Sequence, residues 1–226
     1  MLQKIRGRKP KSPGDTDAGT DPDSDYIASL KQGIRFVTGK DESSPTHSGP
    51  LVEETTSHRD MLVEWHRRGV YTVDSQNDTC SDDKDYKTGE PFTTEQKGYV
   101  VGFIPRRYRE SMLSHMKKHT DKFWYSFGNH GDADVVSNLP VGATKVAVTV
   151  AVFKDPKKTK EYTWVRASNQ PLHSLFGWKK KLIPVFEKNT ASFTVASREP
   201  CGKQDVFGFL NEFIVNNLPV IAAVSR

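Results

Sequence analysis

The sequence of 226 residues is poor in cysteine and has no long apolar run. Two cysteines, Cys80 and Cys201, are too few for a scaffold held by several disulfides or for a four-cysteine zinc site. No segment approaches the about 20 apolar residues of a membrane-spanning helix, and no apolar stretch follows the first basic residues as in a secretory signal. These absences favour a reducing, intracellular location, with a virion or a nucleus as specific candidates.

Aromatic residues, in contrast, are well represented. The chain has 4 Trp, 7 Tyr and 12 Phe within a hydrophobic fraction of 35%, which is enough for a packed core. Its 33 Lys and Arg against 28 Asp and Glu give a net charge of +5, so the protein is mildly basic. That total alone does not identify a nucleic-acid-binding protein, because the distribution of charge matters more than its sum.

The first 25 residues form a bipolar segment, in which a basic block precedes an acidic stretch rich in Gly, Thr and Pro. The segment has almost no apolar residues after Ile5 to offset the entropy of ordering. We therefore predict a disordered tail at 1–25 and a single domain at 26–226. Five basic residues of the tail are candidates for binding a polyanion: Lys4, Arg6, Arg8, Lys9 and Lys11. The alternative is a tail that serves only as a linker or for solubility.

Hydrophobic spacing predicts the elements in the first half of the domain. The clearest is a helix over 53–68, with Met61, Leu62 and Trp65 on one face and Gly69 at its end. The others are a short helix and then a strand within 26–40, a strand at 70–73, a long polar loop at 75–96, a strand at 99–104 and a helix at 106–119.

The second half is richer in β-branched residues and predicts mainly hairpins. The predicted elements are a strand at 123–127, a hairpin of 145–153 with 161–167, a second hairpin of 182–187 with 192–196, a helix at 205–217 with Asp205 as its N-cap, and a closing strand at 220–224. Strands and helices do not alternate regularly, so we predict an α+β fold with a mixed, mostly antiparallel sheet and three main helices.

Metal-binding patterns in the sequence are incomplete. His115 and His119 are four residues apart on a predicted helix, but lysines lie between them and the sequence fixes no third ligand. The acidic residues of the 75–96 loop do not have the spacing of a calcium-binding loop. A half-exposed helix and a solvated loop are the preferred interpretations, and we predict neither a metal nor a cofactor.

Possible nucleophiles are equally unspecific. Cys80 would need a histidine such as His58 or His66 beside it in the fold, and Cys201 is expected to be a turn or buried thiol. Residues 128–132 are rich in glycine but match no phosphate-binding motif, and His130 with its neighbouring aspartates has the composition of an ordinary turn. The sequence therefore leaves open whether the protein is an enzyme.

Basic residues recur beside aromatic ones in the second half, a combination that proteins use to bind single-stranded nucleic acid. The candidate contacts with a polyanion are Lys157, Lys158, Lys179 and Lys180, with Tyr162, Trp164 and Trp178 close by in sequence. Ordinary hairpin ends have the same composition, so an exposed, solvated surface is the alternative.

One stretch resembles a family of small uncharacterised proteins that is common in actinobacteria and similar to some proteins of large DNA viruses. The matching residues are Ser48-Gly49-Pro50, Glu53-Glu54-Thr55, Leu62, Gly69-Val70-Tyr71-Thr72, Ser75-Gln76 and the run from Gln96 to Phe103. His66 or Arg67 replaces the family's Asn before the glycine, and Asn77-Asp78 replaces the usual Pro-Gly. The family has no established activity to transfer.

The residues of this motif still predict a polar site. If the strands at 70–74 and 99–104 pair, Thr72, Ser75 and Gln76 line one end of the sheet beside Glu54 and Thr55 at the start of a helix. We favour a non-enzymatic interaction or structural protein, associated with a virion or nucleoprotein, whose partners are other subunits and nucleic acid. The alternative is a small hydrolase or transferase that uses this polar end.

Overall fold

Two sheets and six helices form the part of the chain that this computed structural model describes, residues 23–47, 56–128, 135–166 and 180–225. The helices are α1 (Ser24–Val37), α2 (Arg59–Arg67), α3 (Arg109–Met116), α4 (Ile183–Asn189), α5 (Val206–Asn217) and α6 (Ala222–Ser225). The strands are β1 (Tyr71–Gln76), β2 (Thr79–Lys84), β3 (Pro91–Gln96), β4 (Tyr99–Pro105), β5 (Phe123–Gly128), β6 (Val135–Ser137), β7 (Lys145–Phe153), β8 (Lys160–Arg166) and β9 (Thr190–Ser197). The α+β class is confirmed, whereas the prediction of three main helices is wrong.

A five-stranded sheet, the core sheet, has the strand order β1-β4-β9-β5-β6, and its described pairs are antiparallel. Helices α2, α3 and α5 cover one face with residues such as Trp65, Met112 and Phe213. Helices α1, α4 and α6 cover part of the other face, where Tyr26 and Phe186 pack on the sheet. Burial on both faces is the main source of stability here, since buried apolar area contributes roughly 25 cal/mol per Å².

A four-stranded sheet, the outer sheet, has the order β2-β3-β7-β8. It consists of two hairpins inserted into the core sheet, one between the paired strands β1 and β4 and one between β6 and β9. Val146 and Val148 of β7 pack beside Tyr99, Trp124 and Ala196 of the core sheet. Strand β2, an edge strand of the outer sheet, is exposed along its whole length. The outer sheet is therefore anchored through β7 and open to solvent at β2.

Helix α2 and strand β1 form the unit that was predicted most clearly. The helix ends at Arg67, and Gly69 follows with a φ of +83°, a conformation that glycine adopts without strain. Leu62, Trp65 and His66 are its buried residues. Strands β1 and β4 pair, which is the condition on which the predicted polar site depended: Tyr71 lies opposite Phe103 and Gln76 opposite Tyr99.

Two predictions in the N-terminal half are wrong. Residues 34–37 continue α1 instead of forming a strand, because Phe36 and Val37 extend the buried face that begins at Tyr26 and Leu30. Residues 75–96 are not a loop but contain β2 and β3, which pair along their whole length. The sequence of β2 does not show the alternation of apolar and polar residues that marks a half-buried strand, because both faces of β2 are exposed to solvent.

Two predictions in the C-terminal half are also wrong. The segment from Leu182 to Glu187 is a 3₁₀ turn followed by α4, so it forms no hairpin with β9. Pro184 lies in the first turn of α4, a position that favours helix initiation. The predicted closing strand at 220–224 is instead the one-turn helix α6 and the residues before it. The Ile221 amide, which precedes this helix, donates to the Arg67 carbonyl at 2.8 Å.

The two cysteines form a disulfide, whereas free thiols were expected. Cys80 of β2 is bonded to Cys201, which lies between β9 and α5, and the bridge closes a sequence separation of 121 residues. Beside the bridge, the Gly202 amide donates to Asp78 at 2.8 Å. Both contacts join the first inserted hairpin to the core of the protein, and neither cysteine is available as a nucleophile.

Candidate active cleft and basic surface

A small cleft lies between α1, α2 and β1, next to the loop that follows α1. Its volume is about 60 Å³, which suits a few waters or a small polar group and is far below the roughly 300–1,000 Å³ of sites for drug-sized ligands. The polar residues that line it are Ser44, His47, His66, Tyr71, Thr72, Asp74 and Ser75. The cleft therefore brings together side chains from four consecutive segments of the chain.

A β-bulge interrupts β1 where this strand borders the cleft. The register shifts between Thr72, which is opposite Gly102, and Asp74, which is opposite Val101. Side chains of a regular strand alternate between faces, and one extra residue reverses this alternation. All five residues from Tyr71 to Ser75 border the cleft, so the cleft follows β1 through the bulge.

His66 is a deeply buried titratable group of the cleft, with 1% of its surface exposed. Its Nδ1 lies 2.7 Å from the Leu62 carbonyl, which can only accept, so Nδ1 carries the proton and Nε2 is an acceptor. Burial lowers the pKa of His66 to about 4, and the bond to Leu62 opposes that shift only in part. His66 is therefore neutral at pH 7.

Gly33 of α1 makes room for this histidine. A Cβ atom at position 33 would lie 2.6 Å from His66 Nε2, closer than atoms can pack. The ring of Tyr71 meets His66 edge to face, with 5.2 Å between ring centroids. The absence of a side chain at Gly33 thus lets α1 pack directly against the His66 ring at the wall of the cleft.

Tyr71 is fully buried and also lines the cleft. Burial raises the pKa of Tyr71 to about 12, although the nearby hydroxyls of Ser44 and Thr46 act in the opposite direction. Those hydroxyls are near but not aligned with it. Within the described residues, neither the Tyr71 hydroxyl nor Thr46 Oγ1 has a partner that meets hydrogen-bond geometry.

Asp74 and His47 stand at the rim. The Tyr99 hydroxyl donates to Asp74 at 3.1 Å. Asp74 is exposed on one side, yet the protein atoms packed around it remove water and raise the pKa of its carboxyl, while Tyr99, the Ser75 amide and His47 act to lower that pKa. His47 lies against Phe36, with 5.3 Å between ring centroids. A carboxylate and an aromatic pair thus border the entrance.

The structure joins some of the predicted site residues and separates others. Thr72 and Ser75 line the cleft, whereas Gln76, at the end of β1, is not among its lining residues. Glu54 and Thr55 lie outside the described residues. His66 and Tyr71 were not predicted as residues of this cleft. From the sequence alone, a buried histidine on a helix or a buried tyrosine on a strand cannot be distinguished from an ordinary core residue.

A second polar group lies where β1 turns into β2. The side chain of Asn77 bonds to His58 and, through its Nδ2, donates to Ser57 at 3.0 Å. Gln96 Nε2 donates to the Asn77 carbonyl at 2.7 Å, and His58 stacks on Phe207 with 3.8 Å between ring centroids. These bonds hold the base of the first inserted hairpin, so His58 is a structural contact and not a base for Cys80.

His115 and His119 lie together on the side of α5. Their ring centroids are 5.4 Å apart, and His115 stacks on Phe209 at 4.8 Å. Burial lowers the pKa of His115, and His119 and Lys118 lower it further against the opposing effect of Glu212. In the described ranges, no three His, Cys, Asp or Glu side chains group closely enough to hold a metal ion. His130 and its neighbouring aspartates lie outside those ranges.

The predicted polyanion-binding residues lie on different elements. Lys157 and Lys158 are exposed in the turn between β7 and β8, and Lys180 is exposed in the 3₁₀ turn before α4. Lys158 Nζ lies 2.6 Å from Glu90, and this hydrogen bond and charge raise the pKa of Lys158. The predicted tail residues Lys4, Arg6, Arg8, Lys9 and Lys11, together with Lys179, are outside the described residues.

Comparisons with known proteins add no relative. No protein-family model matches the chain, and no curated protein matches it. The similarity of residues 48–103 to the actinobacterial and viral family therefore stays a prediction. None of the helices in the described ranges has both the length and the apolar character needed to cross a membrane.

Proposed function

We propose that the protein is a non-enzymatic interaction protein of a virion or nucleoprotein assembly, and that it contacts a polyanion, single-stranded nucleic acid, through the outer sheet and the basic tail. The observation that carries this proposal is a pair of exposed tyrosines beside lysines. Tyr86 is 88% exposed and Tyr162 is 59% exposed. Exposed aromatic rings offer stacking surfaces, and two of them beside lysines suit a partner that stacks on the rings and carries negative charge.

The two tyrosines belong to the free end of the outer sheet. Tyr86 lies in the β2–β3 turn, where Lys87 Nζ is 5.4 Å from its ring centroid. Tyr162 follows Lys160 on β8. The ion pair of Lys158 with Glu90 links the two turns. Base stacking on aromatic rings combined with phosphate contacts is how proteins bind single strands without reading their sequence.

Charge is distributed unevenly across the outer sheet. Asp82 and Asp83 lie on the edge strand β2, and Lys154, Lys157 and Lys160 lie in and beside the β7–β8 turn. Three strand spacings of about 4.8 Å separate the two edges. A polyanion would therefore approach from the β8 side, with the acidic edge facing away.

The disulfide bears on location. Bonds such as Cys80–Cys201 persist in oxidising settings, which include virion surfaces, and are rare in the cytosol and nucleus. Of the predicted locations, this bond supports the virion. The partners proposed with it are other subunits of the particle together with its nucleic acid.

Fluorescence anisotropy with labelled oligo-dT, measured between 50 and 300 mM salt, tests the proposal directly. Each phosphate contact to a single strand contributes about 0.7 to the slope of log affinity against log salt, so Lys157→Ala with Lys160→Ala should reduce the slope by about 1.4. Replacing all five basic tail residues with Ala should reduce it by up to about 3.5. Tyr86→Ala with Tyr162→Ala should weaken binding at every salt concentration while the slope stays the same.

Lys117→Ala with Lys118→Ala is the matched control, since it removes two exposed lysines from the 3₁₀ turn after α3. The control should bind like the wild-type protein. Equal slopes for the control and for the Lys157/Lys160 variant would contradict a role for the outer sheet. Absence of oligo-dT binding by the intact chain would contradict the proposal as a whole.

The alternative, a small hydrolase or transferase, has one observation in its favour: Thr72 and Ser75 line a cleft that also contains a neutral, buried histidine. The disulfide removes the cysteines as nucleophiles, and Gln76 is not among the lining residues of the cleft. We therefore assign to this cleft a binding role, which is argued next and is independent of the outer sheet.

A further inference from the structure

We propose that the cleft between α1, α2 and β1 binds the protonated amino group of a small primary amine, of which the end of a lysine side chain is one form. The first step is the chemistry of the lining. His66 Nε2 and the Asp74 carboxylate can only accept hydrogen bonds at neutral pH, and the hydroxyl of Tyr71 can accept as well. A ligand with several N–H donors satisfies all three.

An unsatisfied buried hydroxyl is the second step. Tyr71 is 0% exposed and lines the cleft, and its hydroxyl has no aligned partner among the described residues. A buried polar group without a hydrogen bond costs about 1–3 kcal/mol, so such groups mark places where a water or a ligand completes the structure. The hydroxyl thus marks a place in the cleft where a water or a ligand would add a hydrogen bond.

The sign of the charge is the third step. Asp74 at the rim attracts a cation, and within the described residues the other ionisable side chains of the lining are His47, His66 and Tyr71, of which burial keeps His66 and Tyr71 neutral at pH 7. Phe36 and Tyr71 also present aromatic rings to the cleft. Ring faces attract ammonium groups, which strengthens the preference for a cation over a neutral donor.

The fourth step concerns the size of the ligand that the cleft can hold. A volume of about 60 Å³ admits an ammonium group with one or two carbons, and a longer chain would leave through the rim beside Asp74 and His47. Gly33 contributes to this volume, because a Cβ there would lie against His66 Nε2. The cleft is therefore selective for an unbranched amine end.

The test is an NMR titration of the full chain with methylammonium chloride, with Nα-acetyl-lysine amide as the second probe. Tetramethylammonium, which has no N–H donors, and acetate, which has the opposite charge, are compared at equal ionic strength. Methylammonium should shift the amides of Gly33, Thr72 and Ser75 in a saturable way. If both probes bind, any primary amine fits; binding of the lysine amide alone would identify a lysine side chain as the ligand.

Variants locate the contacts. Tyr71→Phe removes only the hydroxyl and should weaken binding about five- to tenfold, the usual value of one hydrogen bond. Asp74→Asn should weaken it at least tenfold. Gly33→Ala should abolish it, although this variant also strains the fold. Tyr162→Phe, the same chemical change on the outer sheet, should leave amine binding unchanged.

Three results would overturn the proposal. Acetate or tetramethylammonium would shift the same amides to the same extent, or Tyr71→Phe would bind like Tyr162→Phe, or neither methylammonium nor the lysine amide would shift any of the three amides because the cleft holds water only. Since oligo-dT binding depends on the outer sheet, failure here leaves the proposed nucleic-acid contact unaffected.

Discussion

The core sheet and the outer sheet differ in burial in a way that their compositions do not suggest. Strand β9, at the centre of the core sheet, is buried at all eight residues although Thr, Ser and Ala supply six of them. Strand β7 is an almost continuous apolar run, yet it belongs to the outer sheet and is only partly buried. A strand's position between layers, and not its hydrophobicity alone, decides how much of it is covered.

Two of the small polar residues in β9 have hydrogen-bond partners, whereas Ser197 Oγ has none within hydrogen-bond geometry among the described residues. Thr190 Oγ1 donates to the Phe186 carbonyl at 2.7 Å, and Ser192 Oγ donates to the Gly128 carbonyl at 3.2 Å. Buried polar groups cost little when hydrogen bonded. In the outer sheet, Thr93 and Thr94 instead donate to Asp82 and Asp83 on the exposed strand β2.

The largest expected difference between the two sheets concerns their aromatic residues. Trp65 is 0% exposed under the core sheet, and its Nε1 donates to Asn211 at 3.0 Å. Trp65→Ala should reduce the free energy of unfolding by about 3–5 kcal/mol. Phe92→Ala, in the half-buried pair with Phe153 on the outer sheet, should cost less than half of that.

Guanidinium unfolding followed by far-UV circular dichroism measures both losses. Equal losses would mean that the outer sheet is as well packed as the core sheet. A loss below about 1 kcal/mol for Trp65→Ala would show that α2 is peripheral, since full truncation of a buried tryptophan costs several times more.

The disulfide is the second way to sharpen the comparison, because it joins the outer sheet to the core. Replacing Cys80 and Cys201 together with Ala should lower the free energy of unfolding by about 2–4 kcal/mol. In hydrogen exchange, the amides of β2 should lose more protection than those of β9. Wild-type protein in reductant is the control and should behave like the double variant. Unchanged stability in both would mean that the bond does not form in solution.

Several elements of both sheets were predictable from the sequence because they show strong periodicity or clear end signals. The helix that ends before Gly69 and the strand after it, the β7–β8 hairpin and Asp205 as the N-cap of α5 are confirmed. The pairing of β1 with β4 was a condition of the predicted polar site, and the structure meets that condition. Each of these signals is local, so it does not depend on knowing the rest of the fold.

The other features depend on tertiary contacts. Strand β2 shows no alternation because neither face is buried, and the Cys80–Cys201 bond joins residues far apart in sequence. For the site, Thr72 and Ser75 were predicted, but α1 and the loop after it, which complete the cleft, lie far from them in sequence. His66 as an acceptor required knowledge of the Leu62 carbonyl and of Gly33 across the helix pair.

Acid sensitivity should arise in the core layers and not in the outer sheet. Because burial lowers the pKa of His66 to about 4 from an unfolded value of 6.5, the unfolded state binds more protons between these values. The contribution of His66 is fully present above pH 6.5 and is lost as the pH falls toward 4. It amounts to about 3 kcal/mol at most, at 1.36 kcal/mol per pKa unit.

Urea unfolding at intervals from pH 7.5 to 4.5 measures this loss. His66→Gln should flatten the decline, and His119→Gln, a histidine away from the cleft, should keep it. If the free energy of unfolding declines alike with falling pH in the two variants, the loss of stability in acid has another origin, such as protonation of the carboxylates.

The smallest expected effect comes from two aspartates with the same local role in different regions. Asp205 caps α5 by accepting from the Gly208 amide at 2.8 Å, and Asp85 accepts from the amides of Lys87 and Thr88 at 2.9 Å in the β2–β3 turn. The amides of Thr88 and Lys87 lower the pKa of Asp85, so this carboxylate is charged at neutral pH.

Asp205→Ala should reduce the free energy of unfolding by about 1 kcal/mol, because α5 packs on the core sheet and its N-terminus orders with it. Asp85→Ala should leave global unfolding unchanged and only accelerate hydrogen exchange in the turn, because the exposed end of the outer sheet can open while the core sheet stays folded. Equal losses of global stability in the two variants would show that the two sheets unfold as one unit.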